Sequence, residues 1–96
     1  MKLSQLLYFK TIAETGTLAK AAKKLGVTAP ALSIALANLE NELGVALFDR
    51  QCNRISLNAQ GTAYLQRVNK IFEDLESAKT DIQNMSAVSE NIEVSL

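Results

Sequence analysis

Apolar residues in the first half of this chain recur in steps of three and four, the spacing that gathers them on one side of a helix. Leu6, Phe9, Ile12 and Ala13 form the first stripe. Ser4, a good N-cap, marks its expected start, and Gly16, suited to a left-handed cap, its expected end. Thr17 then caps a shorter run with Leu18, Ala21, Ala22 and Leu25 on one face, and Gly26 closes it. Val27 plugs the turn. Thr28 caps a third run that carries the only proline, Pro30, in its first turn, where a missing N–H costs nothing. Leu32, Leu36, Leu39 and Leu43 make its buried stripe, and Gly44 stops it. Two helices joined by a glycine turn, with small Ala21 and Ala22 at their contact, read as a helix-turn-helix. An ordinary helical hairpin in a small bundle is the alternative.

The pattern then changes period. Leu47-Phe48 and Ile55-Ser56-Leu57 are short strand-like runs around a polar turn, Gln51 to Arg54. A hairpin directly after the third helix is a wing. Asn58 caps a final helix whose apolar positions are Tyr64, Val68, Ile71, Leu75, Ala78, Ile82 and Met85. Alternating steps of four and three over this length are a coiled-coil seam, and the helix is too long to bury against the module before it. Its expected partner is a second copy. Ile92, Val94 and Leu96 alternate instead, as in a strand, and a lone strand has nothing to pair with. The expected organisation is therefore a mainly α winged helix-turn-helix over 1–58, a linker and dimerisation helix over 59–88, and over 89–96 a hinge into a further domain.

The charge distribution changes the picture more than the composition does. The 96 residues are 48% hydrophobic and 21% charged, a globular balance, and the formal net charge is zero. That zero hides a division. Residues 1–70 hold nine Lys/Arg against four Asp/Glu, and residues 71–96 hold one Lys against six Asp/Glu. A front of +5 suits a polyanion, and a back of −5 suits another task. No apolar run approaches the roughly 20 residues of a membrane span, and the start is too broken for a signal peptide. The single Cys52 fits a reducing cytosol, so a cytoplasmic location is expected. Without histidine, a phosphate-binding glycine loop or a Cys/His cluster, nothing points to an enzyme or a metal site.

These residues together resemble the N-terminal DNA-binding domain of LysR-type transcriptional regulators. The resemblance runs through "LLYFKTIAETGTLAKAAKKLGVT", "PALS", "LENELGVALFDR" and the weaker "LNAQG", where the family more often has Thr at the position of Asn58. It implies a bacterial transcription regulator that binds double-stranded DNA, with a linker helix that forms a homodimer and admits a tetramer at full length. It also implies a C-terminal effector domain for a small molecule; no cofactor is expected within these 96 residues. "NIEVSL" looks like that domain's first strand.

A recognition helix presents to the major groove the face opposite its buried stripe. Here that face is read as Ala29, Pro30, Ser33, Ile34 and Ala37. Similar regulators usually have Gln at the position of Ala29 and Arg at that of Ile34, so polar base contacts give way to an apolar patch suited to thymine methyls, with Ser33 as the polar reader. Packing of Ile34 on a neighbouring helix, or simple tolerance of an exposed apolar residue, is the alternative. Backbone or minor-groove candidates are Thr17, Lys20, Thr28, Ala37, Arg50, Asn53 and Arg54, with Lys23 and Lys24 flanking. Arg54, at the expected wing tip, suits a narrow minor groove. Arg50 either pairs with an acidic neighbour or touches phosphate. A winged helix that dimerises or binds protein without DNA is the competing function.

Overall fold

The computed structural model describes the backbone of residues 1–51 and 54–95 and the side chains of 1–51 and 54–85. Its elements are α1 (Leu3–Thr15), α2 (Leu18–Leu25), α3 (Ala29–Leu43), β1 (Phe48–Gln51), β2 (Arg54–Leu57) and α4 (Ala59–Ser95). The expected order, three helices, a hairpin and a long helix, is the observed one. Cys52 and Asn53 lie outside the described residues, as does Leu96.

The core forms where the apolar stripes of α1, α2 and α3 meet the wing and the base of α4. Phe9, Ile12, Ala21, Leu32, Leu36, Leu39, Leu47 and Val68 are fully buried there. Phe9 is its hub, with ring centroids 5.4 Å from both Phe48 and Tyr64, tilted to the first and edge-on to the second. One aromatic thus joins the first helix to the wing and to the linker. Such pairs add about 0.5–1.5 kcal/mol each beyond the area they bury.

The helix ends follow from short-range chemistry. The Thr17 and Thr28 hydroxyls accept from the Lys20 and Ala31 amides at 3.1 and 3.2 Å. Gly16, Gly26 and Gly44 all take left-handed φ, between 72° and 79°, which an L side chain adopts at a cost. Ser4 does not cap α1. The helix starts two residues earlier, with Lys2 as N-cap, because the Gln5 side chain accepts from the Lys2 amide at 2.8 Å.

The wing is longer than the strand-like runs indicate. Phe48 pairs with Leu57, Asp49 with Ser56, Arg50 with Ile55 and Gln51 with Arg54, all antiparallel. Gln51 and Arg54 are therefore strand residues rather than turn residues, and Arg54 forms the last pair before the tip. Asn58 does cap α4, its Oδ1 accepting from the Gly61 amide at 2.7 Å. Its side-chain amide also donates to the Ala46 carbonyl at 2.8 Å, so one side chain both caps α4 and holds the wing's entry. At Gly61 any Cβ would overlap the Leu47 carbonyl oxygen, so the helix start lies tight against the wing's entry.

Two expectations for α4 change. Val68 is fully buried in the core, and Tyr64 is half-buried against Phe9, so these seam positions serve the domain itself. A heptad is blind to which surface fills it, and the nearest apolar surface is α1. Burial, and secondarily the Glu42 carboxylate, raise the Tyr64 phenol above its usual 10.0, keeping a neutral O–H that donates to the Met1 sulfur at 2.9 Å. Farther along, Ile71, Leu75, Ile82 and Met85 are 40–64% exposed, and Ala78 is exposed with them. The second change is at the end. The strand expected from Ile92 and Val94 is helix through Ser95, since a strand without a neighbour leaves its backbone groups unpaired and a helix pairs them internally.

Candidate nucleic-acid interface

The outward side of α3 is set by the burial of its opposite side. Leu32, Leu36 and Leu39 fix the inner direction. At roughly 100° per residue, Ile34 lies about 200° from Leu32, and it is 63% exposed, which excludes packing against a neighbouring helix of the domain. Pro30 and Ala37 are exposed beside it and Ser33 is half-buried. Ala29 departs from the expected face. It sits only about 60° from the Leu32 direction and packs half-buried against the core, so it borders the face without forming part of it. Asn38 and Asn41 belong to the face instead: both are exposed, at about 240° and 180° from Leu32. The helical spacing that turns Ile34 outward turns these two asparagines outward as well, a polar pair not legible from small and apolar positions alone.

A second surface lies between the α1–α2 turn and the wing. Thr17, Lys20, Asp49, Gln51 and Arg54 line one open cleft there of about 700 Å³. An adjoining hollow brings Arg50 to Leu18, Ala19 and Arg54. Thr17, Lys20, Arg50 and Arg54, widely separated in sequence, thus converge on the N-terminus of α2. Its cap uses the Lys20 amide, and the first-turn N–H groups of Leu18 and Ala19 take no part in that bond. First-turn N–H donors, the positive end of a helix and three cationic side chains thus gather around a cleft that Asp49 also lines, an arrangement of the kind that favours an anion. Thr28 is apart from this cluster, and Pro30 removes one first-turn donor from its helix.

Lys23 and Lys24 fall in the last turn of α2, where a cation also favours the negative end of the helix. Arg50 has an internal partner: its Nη2 is 3.9 Å from Glu40 Oε1, a long contact from a half-exposed guanidinium to a largely buried carboxylate. Glu40 is held more firmly by the backbone, its Oε2 accepting from the Leu47 amide at 2.6 Å. That carboxylate ties the recognition helix to the wing's first strand, and its function is structural. Among the described residues no group of His, Cys, Asp and Glu could hold a metal ion, and no helix is long and apolar enough to cross a membrane.

Comparison with known proteins bears on this geometry. Residues 3–62 match the family of bacterial regulatory helix-turn-helix proteins, lysR family. Among curated proteins the chain is 48% identical over 83 residues to an uncharacterized HTH-type transcriptional regulator, YybE, of Bacillus subtilis, an alignment covering 86% of this chain and 28% of the relative. It is 41% identical over 86 residues to the regulator BsdA of the same species, covering 88% of this chain and 30% of that protein. The chain thus spans less than a third of these relatives. Among solved structures it is similar to a CbnR DNA-binding domain in complex with DNA, at TM-score 0.79 and 38% identity, covering 91% of this chain and 99% of that one. A BenM DNA-binding domain bound to catB site 1 DNA superposes with TM-score 0.85 at 29% identity, covering 90% and 96%. With its helix order, wing and linker matched to these relatives, the chain belongs to the LysR family of bacterial transcriptional regulators.

Proposed function

We propose that this chain binds double-stranded DNA sequence-specifically as a homodimer, with α3 in the major groove and the wing toward the adjacent minor groove of a dyad site. One observation carries the reading: Ile34, a large apolar side chain, stands 63% exposed at the centre of a face whose neighbours are small. Folding gains nothing from that exposure. A methyl-rich face at close approach distinguishes thymine from cytosine by the C5-methyl and supplies no donor for guanine. The cleft beside the wing supports the placement, since it offers backbone contacts on one side of the recognition helix. The DNA complexes of the CbnR and BenM domains support the same reading.

The homodimer is carried by α4, through Ile71, Leu75, Ala78, Ile82 and Met85. In a longer chain, an effector domain would bind a small molecule, a tetramer is the larger assembly the family admits, and the regulator would work in the cytoplasm. Affinity for a selected DNA site, measured across a salt series, tests the core of the proposal. Log K falling steeply against log salt, with selection of an A·T-rich site, is expected. Flat salt dependence and no selected sequence would favour a winged helix that docks on protein.

A further inference from the structure

We infer that Asn38 reads a base, taking an adenine beside the thymine under Ile34; this deepens the DNA-binding proposal and rests on it. Asn38 is exposed on α3, about 40° around the helix from Ile34. It lies one turn farther along, about 6 Å. Asparagine in the middle of an exposed helix is a weak choice for folding, because its side chain competes for backbone bonds that the helix needs. The Asn38 amide makes none of the side-chain hydrogen bonds found among the described residues, and two exposed positions nearby, Ala31 and Ala37, are alanines. The fold does not require an amide there.

The chemistry of the opposing groove does. A side-chain carboxamide pairs bidentately with adenine N6 and N7 in the major groove, accepting from one and donating to the other. Toward the N-terminal side of Asn38 the face has no comparable group: Pro30, Ile34 and Ala37 carry no side-chain hydrogen-bonding atoms, and Ser33 is half-buried at its flank. Asn41 lies nearer the C-terminal end, and a recognition helix enters the groove with its N-terminal part. Apolar contact at Ile34 and amide contact at Asn38 together specify a thymine and an adenine at fixed spacing.

Selection from a random DNA library, using the 96-residue chain and its Asn38→Ala and Asn38→Gln variants, tests this. The wild type is expected to select an adenine at one position per half-site. Asn38→Ala should lose that preference alone, by about tenfold or more, while the remaining positions stay as they were. Asn38→Gln should keep the adenine. Replacing that adenine by 7-deazaadenine should weaken the wild type and leave Asn38→Ala unaffected. An unchanged profile for Asn38→Ala overturns the inference, and so does a uniform loss across all sequences with a shallower salt slope, which marks a phosphate contact. A wild type that selects no sequence refutes DNA reading itself, an outcome separate from both.

Discussion

Replacing Glu40 by alanine isolates the tie between the recognition helix and the wing. Two contacts are lost, and they are unequal. The Leu47 amide loses the acceptor 2.6 Å away and remains part-buried, which costs about 1–3 kcal/mol for an unsatisfied donor. The Arg50 guanidinium, at 3.9 Å and about half exposed, loses an ion pair that solvent screens to well under about 1 kcal/mol. Thermal unfolding should therefore fall by about 4–8 °C for each kcal/mol lost in a domain of this size. Glu40→Gln keeps an acceptor for Leu47 and should recover most of that loss, whereas Arg50→Ala should lower the midpoint by no more than a degree or two. Circular dichroism melts of the three variants decide the matter. If Glu40→Ala melts with the wild type, or if Arg50→Ala is the more damaging change, the backbone bond is not what anchors the wing.

Leu75→Asp or Ile82→Asp should shift the chain toward monomer in sedimentation equilibrium with its melting midpoint little changed, because both side chains are exposed in the single chain. Val68→Asp should instead unfold the domain, since it buries an unpaired carboxylate; a folded monomer from Val68→Asp would return that residue to the dimer seam. Arg54→Ala should weaken DNA binding and reduce the salt slope by about one unit per lost phosphate contact; an unchanged slope removes it from the interface. Substituting uracil for the thymines under α3 should weaken binding by about 1 kcal/mol per methyl contact, and Ile34→Ala should abolish the difference. Equal binding of uracil and thymine sites would exclude Ile34 as a reader.

What the sequence makes legible is what short stretches determine. Thr17, Thr28 and Asn58 cap helices through bonds to residues three positions away, and the glycines that end α1, α2 and α3 are set by local φ. Ile34 is legible because the leucine stripe fixes its direction. The start of α1 is not, because Gln5 supplies a cap bond that Ser4 only resembles in type. Val68 is misassigned, and Tyr64 is shared with the core, for a deeper reason: periodicity gives a direction, and only tertiary packing shows that α1 already fills it. The convergence of Thr17, Lys20, Arg50 and Arg54 depends on the wing folding back toward the start of α2, a long-range fact that no local pattern carries.

The burial of Val68 has a mechanical consequence. It clamps one end of α4 to the body that carries α3, so the helix and the reading head turn together as a lever rather than as beads on a string. From Val68 to Met85 the arm is about 26 Å long at 1.5 Å per residue, and tilting it by about 8° sweeps its end through roughly 3.5 Å, one base-pair step. In a dimer joined along that arm, the crossing angle between the two copies is a gear that converts a few degrees into the spacing between half-sites.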